Sequence, residues 1–503
     1  MKKQFHFDNT YVKLRGELYS HILPTPVKAP ELLIYNEALA KELGVLEGAD
    51  SPELAELLSG NLLPEDSEPI AQAYCGHQFG YLNELGDGRA ILLGEHVSEG
   101  GQRVDIQLKG SGKTPYSRNG DGRANVGPML REYLISEAMR KLGIPSTGSL
   151  AVVKTGETVY RSAPLDGAIL TRTASSHIRV GTFQFAALQK DDALLRELAD
   201  YTIRRHYPEL EREANPYLSL FQAILDKQIA LITDWMRVGF VHGVLNTDNV
   251  SIAGETIDYG PCAFMDAYNT GTVFSSIDMY GRYAYGNQPT ITGWNMARLA
   301  EAFIPLLVGS KHGQAGSERI LQNDDEALAV LNEKLRGFMS AYDEAYLVMM
   351  AKKLGFERFE EGDEDMLKVL LNLMQLFGFD YTNTFVYLRS LIKPLNIDAE
   401  LLLPEHAEAR RLFALWAENW KETLQAAVGD LEEARLRMEA SNPILIPRNL
   451  LVDEAIRQAE AGDLSRFKTL LSKLEQPYRY ELADPAYMIP PLQETPFVTY
   501  CGT

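Results

Sequence analysis

Cysteine is scarce. The 503 residues carry three, Cys75, Cys262 and Cys501, far apart and with no C-x-x-C pair. That excludes a disulfide framework and a thiolate metal site. Long apolar runs are absent too: none approaches the roughly 18 residues of a membrane span. The opening MKKQFHFDNTYVKL holds no apolar signal core. The expectation is a soluble, cytoplasmic protein with no membrane partner. Positive charge is in deficit. Lys and Arg number 49 against 69 Asp and Glu, a net charge of −20. Nucleic acid is therefore excluded as the main partner, because phosphate backbones need clustered cations. A local basic cleft stays compatible with that balance. Repeats and low-complexity segments are missing as well. What remains is ordinary for a globular chain, 45% apolar and 23% charged, and long enough for two lobes plus extra helices.

The chemistry concentrates in residues 241–260, VHGVLNTDNVSIAGETIDYG. The spacing resembles the catalytic core of a protein-kinase-like fold. There a His opens the catalytic loop, an Asn seven places later holds a metal, and an Asp-x-Gly beyond a short hairpin holds it again. His242, Asn249 and Asp258-Tyr259-Gly260 fall at those places. One part differs. A kinase has its catalytic-base Asp two places after the His, and this chain has Val244. Val accepts neither a proton nor a hydrogen bond. The nearest carboxylate is Asp248.

With the kinase-like resemblance, four regions are expected: an N-terminal extension at 1–70, an N-lobe-like nucleotide-binding region at 71–190, a helical C-lobe with the catalytic and metal-binding loops at 191–475, and a tail at 476–503 carrying Cys501. In the first, Pro30-Glu31-Leu32-Leu33 reads as a helix start. In the second, Gly76, Gly80, Gly86 and Gly88 punctuate the chain, and Gly86-Asp87-Gly88-Arg89 suits a turn whose amides approach phosphate. Ala90–Leu93 then reads as a strand. Val104, Ile106 and Leu108 alternate with Asp105, Gln107 and Lys109, a strand with one apolar face. Gly110-Ser111-Gly112-Lys113-Thr114 looks like a Walker A loop but fails, since Gln107 stands where the motif needs its first Gly. The stretch that follows carries Lys113, Arg118 and Arg123.

Pro128 opens a helix with Leu130, Tyr133, Leu134 and Ala138 at helical spacing. A kinase-like fold needs one acid there to pair with the strand Lys, and spacing does not choose between Glu132 and Glu137. Leu150–Tyr160 reads as two short strands around Gly156. Arg172 and Arg179 sit among small and apolar residues. Each must meet a carboxylate or an anionic ligand, since an unpaired buried Arg is costly. His177 reads as structural. Tyr217–Val238 carries a helical stripe of Leu220, Ile224, Ile229, Ile232 and Trp235, and amphipathic helices dominate beyond residue 295.

The runs GHQFG, LGDGRA, QLKGSGKTPYSRNGDGRA, LREYLISEAM, TRTASSHIRVGTF, HGVLNTDN and DYGP together resemble the selenoprotein O family of pseudokinases. They are densest over about residues 74–295, and a Cys third from the end fits the family's Cys or selenocysteine position. The resemblance implies an α+β, kinase-like two-lobe fold with a large helical C-terminal part. It implies a protein adenylyltransferase moving AMP from ATP, and in bacterial members UMP from UTP, onto Ser, Thr or Tyr hydroxyls of proteins, the chain itself among the candidates. Carried over by motif, Gly86, Gly88, Arg89, Lys109, Asp121, Gly122, Arg172, Arg179 and Asp258 bind nucleotide. Glu132 partners Lys109, Asn249 and Asp258 hold Mg²⁺ or Mn²⁺, and Asp248 is catalytic. The nucleotide lies flipped relative to a kinase, so pyrophosphate leaves, an anion that calls for several cations. Cys262 and Cys501 form a possible redox pair. Two other readings stand beside this one: a conventional phosphotransferase with Asp248 as base, and a non-catalytic nucleotide-binding redox module.

Overall fold

The computed structural model describes residues 5–45, 52–161, 163–312, 319–491 and 495–500. It mixes helix and sheet. One antiparallel sheet organises the first part. Its strands run in the order β1 (Tyr19–His21), β3 (Ile70–Gln72), β6 (Ala90–Val97), β7 (Arg103–Lys109), β10 (Pro164–Ala174), β9 (Gly148–Tyr160) and β2 (Glu31–Tyr35), with β8 (Ala124–Asn125) paired to β10. A separate hairpin, β4 (Cys75–Gln78) and β5 (Tyr81–Glu84), projects beside it. Its tip is Phe79-Gly80, both at positive φ.

Two expectations change here. The helix expected from Pro30 is strand β2. Leu32 pairs with Val153 and Ile34 with Val152. Local helix propensity is a weak preference, and the apolar run Leu32-Leu33-Ile34 gains more as the sheet's outer strand. Leu150–Tyr160 lies within one 13-residue strand, not two short ones. Gly156 takes φ +67 inside it, where an added Cβ would lie 2.7 Å from Ala29 Cβ. Only glycine carries the strand through that kink.

The pleat sends alternate residues of β7 to opposite faces. Val104, Ile106 and Leu108 join Leu93, Leu150, Val153 and Ile169 in a core shared with α1 (Glu37–Leu43) and α2 (Pro52–Ser59). Asp105, Gln107 and Lys109 point the other way and are buried all the same. Helix α3 (Val126–Lys141) packs on β9 and β10 from that second side, burying Leu130, Tyr133, Leu134 and Ala138. It begins two residues before Pro128, which still lies in the first turn, where a missing N–H costs little.

The rest is mainly helical: α4 (Val180–Leu188), α5 (Asp192–His206), α6 (Pro216–Val238), α7 (Gln288–Leu307), α8 (Asp324–Lys353), α9 (Asp363–Phe377), α10 (Tyr381–Ser390), α11 (Ala407–Val428), α12 (Leu431–Ser441), α13 (Asn449–Glu460) and α14 (Ser465–Lys473). Helix α6 buries the expected stripe, each such side chain contributing roughly 1.5–3 kcal/mol. Asn215 caps its start by accepting from Leu218 N–H, and Gly239, at φ +74, stops it. The chain passes straight into β11 (Phe240–Val241), which pairs with β12 (Ala263–Phe264). The 242–262 loops hang between these two strands. Their far end is pinned by later sequence. Buried Arg448 donates to Asp266 at 2.8 Å and to Asp380 at 2.7 Å, and Asn449 bonds both backbone groups of Phe264. Among the described residues, no helix is long and apolar enough to cross a membrane.

Candidate active site

Asp258 is the centre. It sits in the left-handed region at φ +64, a conformation Asp tolerates better than most residues. Three cations converge on it. Lys109 Nζ lies 2.7 Å and Arg172 Nη1 2.7 Å from Oδ1, and Arg179 Nη1 lies 2.8 Å from Oδ2. Burial alone would raise the Asp258 carboxyl, but the three cations outweigh it and hold it well below the usual carboxylate range. Glu132 completes the group, accepting from Lys109 at 2.6 Å and lying 3.2 Å from Arg172. The structure thus separates the two helix acids. Glu137 faces Ser149 N–H and Arg140 instead.

The cations are placed by neighbouring strands. Lys109 ends β7, and Arg172 on β10 pairs in register with Gln107. Gln107 Oε1 accepts from Arg172 Nε at 3.2 Å and Nη2 at 2.6 Å. Arg179 precedes α4 and donates to the Asp248 carbonyl at 2.6 Å. Its guanidinium lies 4.6 Å from the Tyr74 ring centroid, a favourable cation–π distance. Asp87 stands 3.9 Å away. Gln107, Asp87 and Tyr74 were missed by motif reasoning. For Gln107 a signal existed, since it shares the polar row of β7 with Lys109.

The catalytic loop is braced from within. His242 is fully buried, its ring stacked on Trp235, and Nε2 bonds the Ile257 carbonyl at 2.9 Å, next to Asp258. Asn249 Nδ2 donates to Val244 O at 2.8 Å. Its side-chain oxygen accepts from no described residue, so it remains a donor atom for a cation. The connection from Asn249 to Asp258 is not a regular hairpin. It makes isolated bridges to Arg179 and Ser146.

Asp248 differs from Asp258. It is buried, and burial pushes its carboxyl up to about 6, with Arg179 opposing and Asp258 adding to the rise. Oδ2 meets Gln78 Nε2 at 3.5 Å, while Oδ1 is buried with no hydrogen-bond partner among the described residues. The β4–β5 hairpin is stitched over it: His77 N–H donates to Thr247 Oγ1 at 2.7 Å and Phe79 N–H to Asn246 Oδ1 at 3.3 Å. Gly76 passes so close that an added Cβ would lie 2.4 Å from Asp248 Oδ1.

Lys109, Glu132, Arg172, Arg179 and Asp258 therefore form one cluster, with Asp248 joined through its carbonyl. Other predicted residues lie elsewhere in the network. Gly86 and Gly88 are locked beneath the 114–117 turn, where an added Cβ on Gly86 would lie 2.5 Å from the Tyr116 ring. Arg89 O accepts from Gly110 N–H. Asp121 pairs with Arg161 at 2.8 Å, and Arg123 pairs with Glu157. Among the described residues, neither Asp121 nor Gly122 bonds to a member of the cluster. Cys262 is buried, its thiol pushed up to about 11 by burial. Cys501 lies outside the described residues. Thr499 reaches the same place, donating to Pro261 O at 2.7 Å.

The donor chemistry fits a hard cation only in part. Asn249 and Asp258 offer oxygens. Among the described residues no group of three or more His, Cys, Asp or Glu could hold a metal. Phosphate oxygens would have to supply the remaining ligands.

Several proteins of similar sequence are named as one class of enzyme, protein nucleotidyltransferases. Protein nucleotidyltransferase YdiU of Brevibacillus brevis is 50% identical over 502 residues, covering 99% of this chain and 98% of its own length. The Geobacillus kaustophilus protein of the same name is 50% identical and covered in full, and that of Nitrosococcus oceani is 49% identical, with 99% and 97% covered. The family model described as protein adenylyltransferase SelO matches residues 2–475, and the chain belongs to that family.

Proposed function

We propose that the protein transfers AMP from ATP, and UMP from UTP, onto Ser, Thr or Tyr hydroxyls of other proteins, from a kinase-like two-lobe fold in the cytoplasm. The observation that carries this reading is the set of three buried cations, Lys109, Arg172 and Arg179, around Asp258, in a site with Val at position 244. A γ-phosphoryl transfer needs a base aimed at the γ-phosphate. A nucleotidyl transfer needs concentrated positive charge for a departing pyrophosphate.

In this reading Asp248 Oδ1 takes the proton of the acceptor hydroxyl. The hydroxyl oxygen bonds to the α-phosphorus, the bond from α-phosphorus to the bridging oxygen breaks, and pyrophosphate leaves. Lys109, Arg172 and Arg179 neutralise that anion, with Glu132 keeping Lys109 and Arg172 aimed. Asn249 and Asp258 would hold Mg²⁺ or Mn²⁺, which supplies further charge neutralisation at the phosphates. Gly86, Gly88, Arg89, Asp121 and Gly122 belong to the nucleotide's outer contacts. Positioning and charge stabilisation carry most of the catalysis, so a turned nucleotide changes the product without a new set of groups.

The test is parallel incubation with α-labelled and γ-labelled ATP and either metal, read on a denaturing gel. Label from the α-phosphate alone should appear on protein. Label from the γ-phosphate alone would establish a phosphotransferase. Tight nucleotide binding with neither label transferred would establish a binding module.

A further inference from the structure

Away from the cluster, a cavity of about 520 Å³ opens where the sheet meets the helices. It is built by the turn before β7, Ser175 at the end of β10, the last turn of α5 and Lys227 of α6. Four of its lining side chains are cationic, Arg103, Arg204, Arg205 and Lys227, and none is a carboxylate. In a chain with 69 acids against 49 bases, that composition is not background.

The four cations fall into two kinds. Arg103 and Arg205 are committed. Arg103 pairs with Asp8 at 2.6 Å, and Arg205 with Glu95 at 2.7 Å and Asp105 at 2.6 Å. Arg204 and Lys227 are exposed and make no hydrogen bond or ion pair with any described residue. The carboxylates behind the wall are spoken for, and buried Glu255 accepts from Ser175. The His206 ring is held down to about 3 by burial and by Arg205, so it brings no charge and bonds Ser176. Cations in the last turn of α5 also complement the helix dipole. That accounts for Arg204 and not for Lys227 on a different helix or for a cavity between them.

We infer that this cavity is a second anion site, separate from the nucleotide cleft, for a small molecule bearing one or more phosphates. A guanidinium and an ammonium free to turn inward suit a phosphate group. The volume lies within the range of small-molecule sites. Arg103 and Lys109 stand at opposite ends of β7, so the two sites are ~20 Å apart. They are also wired together. Arg205 holds Asp105 Oδ1, and Asp105 Oδ2 accepts from the backbone and ring of His177, two residues before Arg179.

The experiment is a metal-free titration of labelled pyrophosphate onto the full chain. Two equivalents are expected on the wild type. In the Arg204→Ala/Lys227→Ala variant one equivalent should weaken by roughly 100-fold, about tenfold for each charge-assisted hydrogen bond removed. Lys109→Ala should weaken the other. Both deleted side chains are exposed, so an unchanged melting curve checks the fold, and Arg204→Glu/Lys227→Glu repeats the test by charge reversal. Competition by AMP at the second equivalent would assign a nucleotide phosphate, and competition by inorganic phosphate alone a simple phosphate. A single wild-type equivalent that only Lys109→Ala weakens, or identical titrations of wild type and both double variants, overturns the inference.

Discussion

Replacing Asp248 by Asn tests the reasoning about the site most directly. Asn keeps the shape and removes the charge. The Asp248 carboxyl moves from 3.8 to about 6 on folding. The folded state therefore binds that proton more tightly than the unfolded chain does. Its stabilising contribution is complete below about 3.8 and is lost as pH rises through about 6. Two units at 1.36 kcal/mol each make ionised Asp248 cost about 3 kcal/mol at neutral pH. Asn carries no such cost. In paired urea melts, variant and wild type should coincide near about pH 4, and the variant should be more stable by about 3 kcal/mol near about pH 8. Other titrating groups are common to both proteins and cancel in the difference. Activity should move the opposite way, falling about 10²–10⁴-fold on loss of the base. The wild-type transfer rate should climb with pH through an apparent value of about 6. Equal stabilities at high pH would refute the burial argument, and a transfer rate undiminished in the variant would refute the role given to Asp248.

Three further outcomes are expected. Asp258→Ala should abolish transfer and, by leaving three cations without their shared carboxylate, lower stability by about 3–5 kcal/mol in the nucleotide-free protein; full activity would remove Asp258 from the mechanism. Because Lys109, Arg172 and Arg179 occupy both Asp258 oxygens, Mn²⁺ should bind weakly alone and at least tenfold more tightly once ATP draws the cations away, as read by the paramagnetic signal of free Mn²⁺; equal affinity with and without ATP would contradict this. If Cys501 reaches Cys262, oxidation should change activity and gel mobility in the wild type but not in Cys501→Ser, and identical behaviour of both would dismiss the pairing.

The β7 strand shows how far the sequence could be read. Alternation located the strand, its apolar face and Lys109. It did not disclose that the polar face is buried as well, because a row of Asp, Gln and Lys reads as solvated until distant residues pair with it: Arg205 with Asp105, Arg172 with Gln107, and Glu132 and Asp258 with Lys109. Spacing left the choice between Glu132 and Glu137 open for a related reason: both acids are buried on α3, and only the orientation of the helix against the sheet separates them. The Gly86–Arg89 turn was legible as glycine-dependent, but what demands glycine there is the Tyr116 ring, which no local pattern announces. Strand β2 was lost because a short apolar run after Pro carries no periodicity, and its pairing with β9 decides the conformation.

The grip of Arg448 and Asn449 on the loops around Asp258 has a consequence for synthesis. Asp266 and Phe264 leave the ribosome long before the side chains that fasten them. Until residue 449 has emerged, Asp266 and Asp380 face each other without their shared cation, and β12 lacks its bonds to Asn449. The support under β12, close after Asp258 in the chain, is thus completed only once residues 448 and 449 have been made.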